Sequence, residues 1–485
     1  MSTSGETLKH KTMIGMVWVG IQRFGSMFVS FISNIVLARL LTPDDFGYIG
    51  MLLIFIAVST TFIDGGFGSA LIQKKHPSEE DYSTVFYWNI GLSVFLYLLL
   101  YFGAPLVSIF YKMPLLTPLL RVQGLILILN AVSLVQLCKL RKKMQFKIIA
   151  LVNLISAIIS VIAAIIYAYY GGGVWALVLQ QLLQSALIAV FLWIICKWHP
   201  LILFSRKSFR ELFSFGSFIL ISNLLSSFAN NFRGLLIGKA FNASTLGYFS
   251  QAQKVENVFS SSLASVVEQV TYPLMVEVKD SPERMKSVQR QFNNAILSVV
   301  MPIMYLLCLL AYPIIEFLFT NRWIMAAPIL QILSIQGIFI CVQGTSYNVI
   351  ASLGKSRTLF NWSIIKSLTG LSLALIGLYL GGLYGVLWSM VLGSCMIVVY
   401  NFYLVSKFTS YTFWSQVKDI YPIILLSTIP FLITFAYSFI MKVNNLGDII
   451  LGCLYIGVYV LVIIFSPAGA IRELRNNLMS VLKRK

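Results

Sequence analysis

Charge is scarce in this chain. Only 11% of its residues are Asp, Glu, Lys or Arg, against 58% apolar, and the mean hydropathy is +0.84. That balance excludes an ordinary water-soluble globule. Histidine is rarer still: His10, His76 and His199 are the only three, at the chain start and in connecting stretches, so histidine catalysis and histidine-bound zinc have no foundation. The six cysteines stand singly in or beside apolar runs without a CxxC, as small hydrophobes rather than a disulfide or metal framework. A phosphate-cradling GxxxxGK[ST] is missing, because Gly354-Lys355-Ser356 has Val349 where the upstream glycine belongs. No DxD, no loop-borne carboxylate pair and no nucleophile constellation occurs. No connecting stretch is long enough for an extramembrane domain. ATPase and sugar-transfer chemistry are therefore poor fits; the reading is not an enzyme, and no cofactor or metal is implied.

What the chain has instead is apolar runs of membrane length. They fall near 13–38, 47–72, 84–110, 115–137, 148–170 and 173–196, then near 213–237, 247–275, 291–319, 325–352, 358–380 and 383–406, with two more near 419–440 and 447–466. The fold class expected is an all-α polytopic membrane protein of about fourteen helices: two pseudo-symmetric six-helix lobes plus two C-terminal helices. The divisions are a first lobe over 1–196, an inter-lobe linker over 197–212, a second lobe over 213–407, the last two helices over 408–470 and a basic tail over 471–485. The linker carries Phe204, Phe209, Leu212 and Phe213 among its charges, so it is read either as an amphipathic interfacial piece or as a simple solvated linker. The polar, basic start, MSTSGETLKHKT, precedes a run too long for a secretory signal and interrupted by Arg23, which makes it a retained first helix.

The net charge of +19 would suggest a nucleic acid partner in a soluble chain. Topology accounts for it better. With both termini cytoplasmic, alternate loops and the tail hold 26 of the 36 Lys and Arg, whereas the opposite loops hold five: Arg39, Lys112, Lys239, Arg322 and Lys442. That alternation follows the positive-inside rule, and no nucleic acid partner is implied.

The chain also repeats itself. GIQRFGSMFVSFISNIVLARLLTPDDFGY, from Gly20, returns two hundred residues later as GSFILISNLLSSFANNFRGLLIGKAFNASTLGY, with Lys239 for Arg39 and Gly247-Tyr248 for Gly47-Tyr48. Gly171-Gly172 before Ala176-Leu177 returns as Gly381-Gly382 before Val386-Leu387, offset by 210. Duplicated bundles of this kind are a transporter signature. The Gly-Tyr positions are read as tight turns into the following helices, without chemistry of their own.

Polar residues within the apolar runs mark the candidate site. A charge near the bilayer centre costs about 2.5–3.5 kcal/mol on the mildest scale, so it needs a cavity or a partner. In the first helix, Arg23, Ser30 and Asn34 share one face with Ser26 and Ser33. The seventh offers Asn223, Asn230 and Arg233; the eighth offers Gln251, Lys254, Asn257 and Glu268; the eleventh adds Lys366. These eleven are the candidate substrate-binding residues of a hydrated central cleft, against the plainer reading that Ser and Asn join helices by hydrogen bonds. Asp64 and Glu268 are the candidate ion-coupling acids. Arg23 and Asp64 have similar depth, which makes an ion pair between them a candidate, structural or functional.

The runs LARLLTPDDFGYIGM, FIDGGFGSALIQKK and EEDYSTVFYWNI, with the later Gly171-Gly172-Gly173-Val174-Trp175-Ala176-Leu177, resemble polysaccharide transporters of the Wzx type, in the colanic-acid-exporter-like branch. The resemblance spans the first through twelfth helices. It implies the multidrug/oligosaccharidyl-lipid/polysaccharide flippase fold in a bacterial inner membrane. It further implies a substrate of undecaprenyl-diphosphate-linked oligosaccharide carried from the inner to the outer leaflet. The partners it implies are that lipid-linked oligosaccharide, membrane lipids, and polysaccharide polymerase and assembly proteins. A cation-coupled multidrug exporter of the same superfamily and a membrane glycan polymerase are the alternatives.

Overall fold

A computed structural model describes the backbone of residues 3–441 and 444–465; the side chains of 3–13, 16, 215, 218, 219, 265–270 and 462–465 are outside the description. The candidate Glu268 side chain and the basic tail therefore lie outside the described residues. Among those described, every regular element is helical. They are α1 (Thr3–Leu40), α2 (Pro43–Asp64), α3 (Phe67–Gln73), α4 (Glu79–Tyr111), α5 (Leu116–Gln123), α6 (Leu125–Lys142), α7 (Phe146–Tyr169), α8 (Val174–Cys196) and α9 (Arg206–Ala240). There follow α10 (Ala243–Glu277), α11 (Pro282–Leu309), α12 (Ala311–Phe319), α13 (Ala326–Ser352), α14 (Ser356–Phe408), α15 (Phe413–Met441) and α16 (Asn445–Phe465).

Ten spans among the described residues are long and apolar enough to cross a membrane, one of them joining α2 to α3 and another joining α5 to α6. α14 counts twice, since Gly381 and Gly382 leave helical geometry, Gly382 at φ 57, and turn the chain back. Its two halves then touch backbone to backbone: a Cβ on Gly385 would lie 1.9 Å from the Gly377 carbonyl oxygen, and one on Gly377 2.3 Å from that of Gly385. With α9, α10 and α16, which have membrane length but carry more polar residues or a shorter apolar core, the number reaches about fourteen. The chain is a multi-pass membrane protein.

Local chemistry sets the helix ends. Thr42 accepts from the Asp45 amide while the Asp45 carboxylate accepts from that of Thr42, a capping box with Pro43 in the first turn of α2. Gly65, at φ 52, ends that helix in the left-handed region where a Cβ is costly. Ser78 and Asp81 repeat the box at α4. The glycines at 171 and 173, with φ of 86 and 51, make the tight passage from α7 to α8.

The molecule divides into two compact units, residues 1–247 and 248–485. In the first, α1 packs on α7, α7 on α8, α6 on α4 and α8, and α9 on α2, α3 and α4. α9 opens the second sequence repeat, yet it belongs with the first unit because its surface is spent on α2. In the second unit, α13 packs between α11 and α14, and α15 and α16 lie on α11. Stacked Tyr305 and Phe431 rings, 4.2 Å apart, a hydrogen bond between the Tyr305 and Thr428 hydroxyls, and one from Tyr459 to the Ser298 carbonyl fasten these last two helices.

The last part of the linker, 206–212, forms the opening of α9. Residues 197–205 run without regular structure, and Ile202 is 98% exposed. They are nonetheless tied to α4: Trp198 Nε1 donates to Glu79 at 2.6 Å, the Leu201 amide to Ser83 and the Ser205 amide to Thr84.

Candidate functional site

The polar residues singled out by sequence are scattered over two kinds of surface. On α1, Ser33 and Asn34 are buried, and Ser33 accepts from Gln180 on α8 at 3.0 Å. Arg23 and Ser30 are exposed. On α9, Asn223 and Asn230 are exposed and Arg233 is half-buried, its Nε without a hydrogen-bond partner among the described residues. In the second unit Gln251 is buried, Lys254 and Asn257 are exposed, and Lys366 is exposed with its ammonium 4.9 Å from the Trp362 ring centre. Asp64 is not paired with Arg23. Its Oδ1 lies beside Gly68, 3.1 Å from where a Cβ would stand, and the cation whose field reaches it is Arg141. Matching depth along two helices does not bring side chains together when α1 packs on α7 and α2 on α9.

What the structure adds is the seam between α2 and α9 within the first unit. At one end the two copies of the repeat meet symmetrically. A Cβ on Gly47 would stand 1.9 Å from the Ala243 carbonyl oxygen, and one on Gly247 would stand 2.0 Å from that of Pro43. Pro43 and Ala243 are the first residues of α2 and α10, so each glycine seats itself on the opening turn of the other helix. Two positive helix ends thus face each other, and acidic side chains relieve the repulsion. Asp44 and Asp45 stand in the first turn of α2, and Asp44 Oδ1 accepts from Ser244 Oγ at 2.7 Å across the junction. The caps repeat as well: Asn242 accepts from the Thr245 amide at 2.8 Å as Thr42 does from that of Asp45. Lys239 donates to the Phe110 carbonyl and lies 4.2 Å from its ring centre.

The opposite end of the seam is also closed on glycine. A Cβ on Gly66 would fall 2.5 Å from the Gly216 carbonyl oxygen, and one on Gly216 2.8 Å from that of Gly65. From Gly47 to Gly66 a helix rises roughly 28 Å, close to the thickness of a bilayer's hydrocarbon core. Outside this end, Lys74 binds Asp81 at 3.0 Å and Glu211 of α9 at 3.1 Å. Burial opposes its charge, but the two carboxylates prevail and hold the Lys74 ammonium above its ordinary pKa. Phe67 packs on Phe209 and Phe213, and Phe209 on Trp88 at 4.5 Å. Lys139 bridges to Glu79 at 2.8 Å over the rings of Tyr82 and Trp198. This is the end rich in Lys and Arg.

By sequence, Gly47 and Gly247 are turn residues only. The repetition of a glycine at the same place in both copies is the available signal, since a turn alone does not require one at the fifth residue of a helix. Gly66 and Gly216 carry no such mark.

A family profile described as "Polysaccharide biosynthesis protein" matches residues 36–328. The teichuronic acid biosynthesis protein TuaB of Bacillus subtilis (strain 168) is 25% identical over 90% of this chain and 89% of its own. The lipopolysaccharide biosynthesis protein WzxC of Escherichia coli (strain K12) is 19% identical over 83% and 82%. Among solved structures, the lipid II flippase MurJ in an inward closed conformation superposes with a TM-score of 0.75 at 17% identity, covering 92% of this chain and 97% of that one. An inward-facing multidrug transporter of the MATE family reaches 0.62 at 14% identity, over 84% and 98%. The fold is that of these transporters.

Proposed function

The chain belongs to the polysaccharide biosynthesis protein family, and from that premise we propose that it is a lipid-linked polysaccharide flippase. It carries an undecaprenyl-diphosphate-linked oligosaccharide, the repeat unit of a surface polysaccharide, from the inner to the outer leaflet of a bacterial cytoplasmic membrane. The observation that carries this reading is the α2–α9 seam, closed at both ends by glycine backbones. Backbone contacts of this kind separate and re-form with no side chain between the glycines to repack, as alternating access requires at each face in turn.

The polar residues of the apolar spans suit such a cargo. A diphosphate is met by cations, here Arg23, Arg233, Lys254 and Lys366. Hydroxyl-rich sugar is met by Ser30, Asn34, Asn223, Asn230, Gln251 and Asn257. The polyprenyl tail stays in lipid or beside α15 and α16. Asp64 and Glu268 are the acids proposed for ion coupling. The charge alternation supports both termini on the cytoplasmic side, and polymerase and assembly proteins are the partners that would receive the product.

Cells lacking the protein test this. A flippase defect accumulates lipid-linked repeat units on the cytoplasmic face. Single units displayed outside would point to a polymerase, and altered drug sensitivity alone to a drug exporter; either result overturns the proposal.

A further inference from the structure

A second feature lies on the outer wall of the first unit, away from the seam. Where α6 turns into α7, residues 143–147 and the start of α1 enclose an open-sided cleft of about 310 Å³. That is on the order of ten times the volume a water molecule occupies in the liquid. Its floor is apolar, from Ile14, Trp18 and Phe146, and its rim carries Lys143 and Lys147. Both lysines are exposed, and Lys147 stands 5.5 Å from the Trp18 ring centre. The carboxylate whose field reaches Lys143 is Glu79, which is already bound to Lys139. The cleft's lining runs into the first residues of α7, Phe146 and Lys147, where a helix start carries partial positive charge.

Two cations at a helix start make a phosphate the fitting ligand, and the surroundings say that it comes attached to a hydrocarbon. Leu151, Ile155, Ile158 and Ile162, one exposed stripe of α7, rise from the cleft along the apolar span, and Val17 and Ile21 of α1 are exposed beside them. A free phosphate has no use for that stripe. An acyl or prenyl chain does.

We infer that this cleft binds the phosphate headgroup of a lipid in the leaflet that the Lys- and Arg-rich end faces, with the lipid's chain lying along α7. The site is separate from the cations assigned to the flipped cargo: Arg23, five residues beyond Trp18 on α1, is not among the residues that line it. Phosphatidylglycerol and a polyprenyl phosphate present the same chemistry there.

Native mass spectrometry of the full-length protein, released from detergent with phosphatidylglycerol, undecaprenyl phosphate, phosphatidylcholine or inorganic phosphate, tests it. The Lys143→Gln/Lys147→Gln variant should lose adducts of one or both anionic lipids by about thirtyfold. Lys143→Arg/Lys147→Arg should keep them. Loss confined to phosphatidylglycerol identifies a resident phospholipid, and loss of undecaprenyl phosphate a site for the polyprenyl carrier; either supports the inference. Adducts unchanged by the double variant overturn it, as does equal retention of inorganic phosphate and of the lipids. Should the double variant fold poorly, Lys147→Gln alone, at an exposed position, gives the same reading at a smaller loss. The phosphatidylglycerol arm stands whether or not the protein is a flippase.

Discussion

Placing a single methyl group at Gly47 should unlatch one end of the α2–α9 seam. The methyl carbon would lie 1.9 Å from the Ala243 carbonyl oxygen and 2.4 Å from its carbon, where ordinary contact begins at 3.4 Å. The two helix ends must therefore part by roughly 1.5 Å, and backbone on both sides leaves no flexible atom to yield. Overpacking of this kind costs about 1–3 kcal/mol, which shifts the closed-to-open ratio by roughly five- to 150-fold. A cysteine pair, Asp44→Cys with Ser244→Cys, in a background without the six native cysteines, reports closure, because the native side chains touch at 2.7 Å. Bridging by a short bifunctional thiol reagent should fall about tenfold when Gly47→Ala or Gly247→Ala is added. Gly91→Ala, which meets nothing within 4 Å, should leave it unchanged. Undiminished bridging with alanine at both 47 and 247 would refute the reasoning, since the seam would then tolerate the side chains it is said to exclude.

Other consequences follow from the Lys-rich end. Lys74→Met leaves Asp81, 2% exposed, without its cation and should cost about 3 kcal/mol in thermal unfolding in detergent, whereas Glu211→Gln, at a 57% exposed partner, should cost under about 1 kcal/mol. Because the folded-state pKa of Lys74 is raised, its contribution is complete below the ordinary lysine value near 10.5 and fades only as pH climbs through the higher folded value. Unfolding temperatures of wild type and Lys74→Met should accordingly keep the same gap from pH 7 to 9. Trp198→Phe keeps the packing on Tyr82 and Phe86 but loses the bond to Glu79, for about 1 kcal/mol, while Trp198→Ala should cost about 3–5 kcal/mol. Gly385→Ala should disturb the α14 hairpin more than Gly381→Ala, which meets nothing within 4 Å, and protease resistance of the folded protein checks that order.

Much of the fold was legible because hydrophobicity and glycine act locally. The apolar runs placed the helices, and the break between 380 and 383 coincides with the positive-φ glycine that turns α14 back. The capping boxes at Thr42 and Ser78 were written in the sequence as S/T-x-x-D. The repeat announced Gly47 and Gly247 without disclosing that each seats on the other's helix, since that depends on how α9 meets α2. Gly66 and Gly216 stand at unrelated positions and only the folded chain joins them. The same limit undid the Arg23–Asp64 pair: depth is a one-dimensional quantity, whereas contact also needs the helices to be neighbours. Glu256 is the clearest case of a residue set by packing. It is 4% exposed, and its carboxylate occupies the room left by Gly337, where a Cβ would stand 2.6 Å from it.

Transbilayer movement in liposomes bears most directly on the account. Purified full-length protein should carry a fluorescent undecaprenyl-diphosphate oligosaccharide across the bilayer, and Arg23→Gln with Arg233→Gln should slow that movement at least tenfold while the protein remains folded. Movement no faster than in protein-free vesicles, or as fast in the charge-neutralised variant as in wild type, would contradict it.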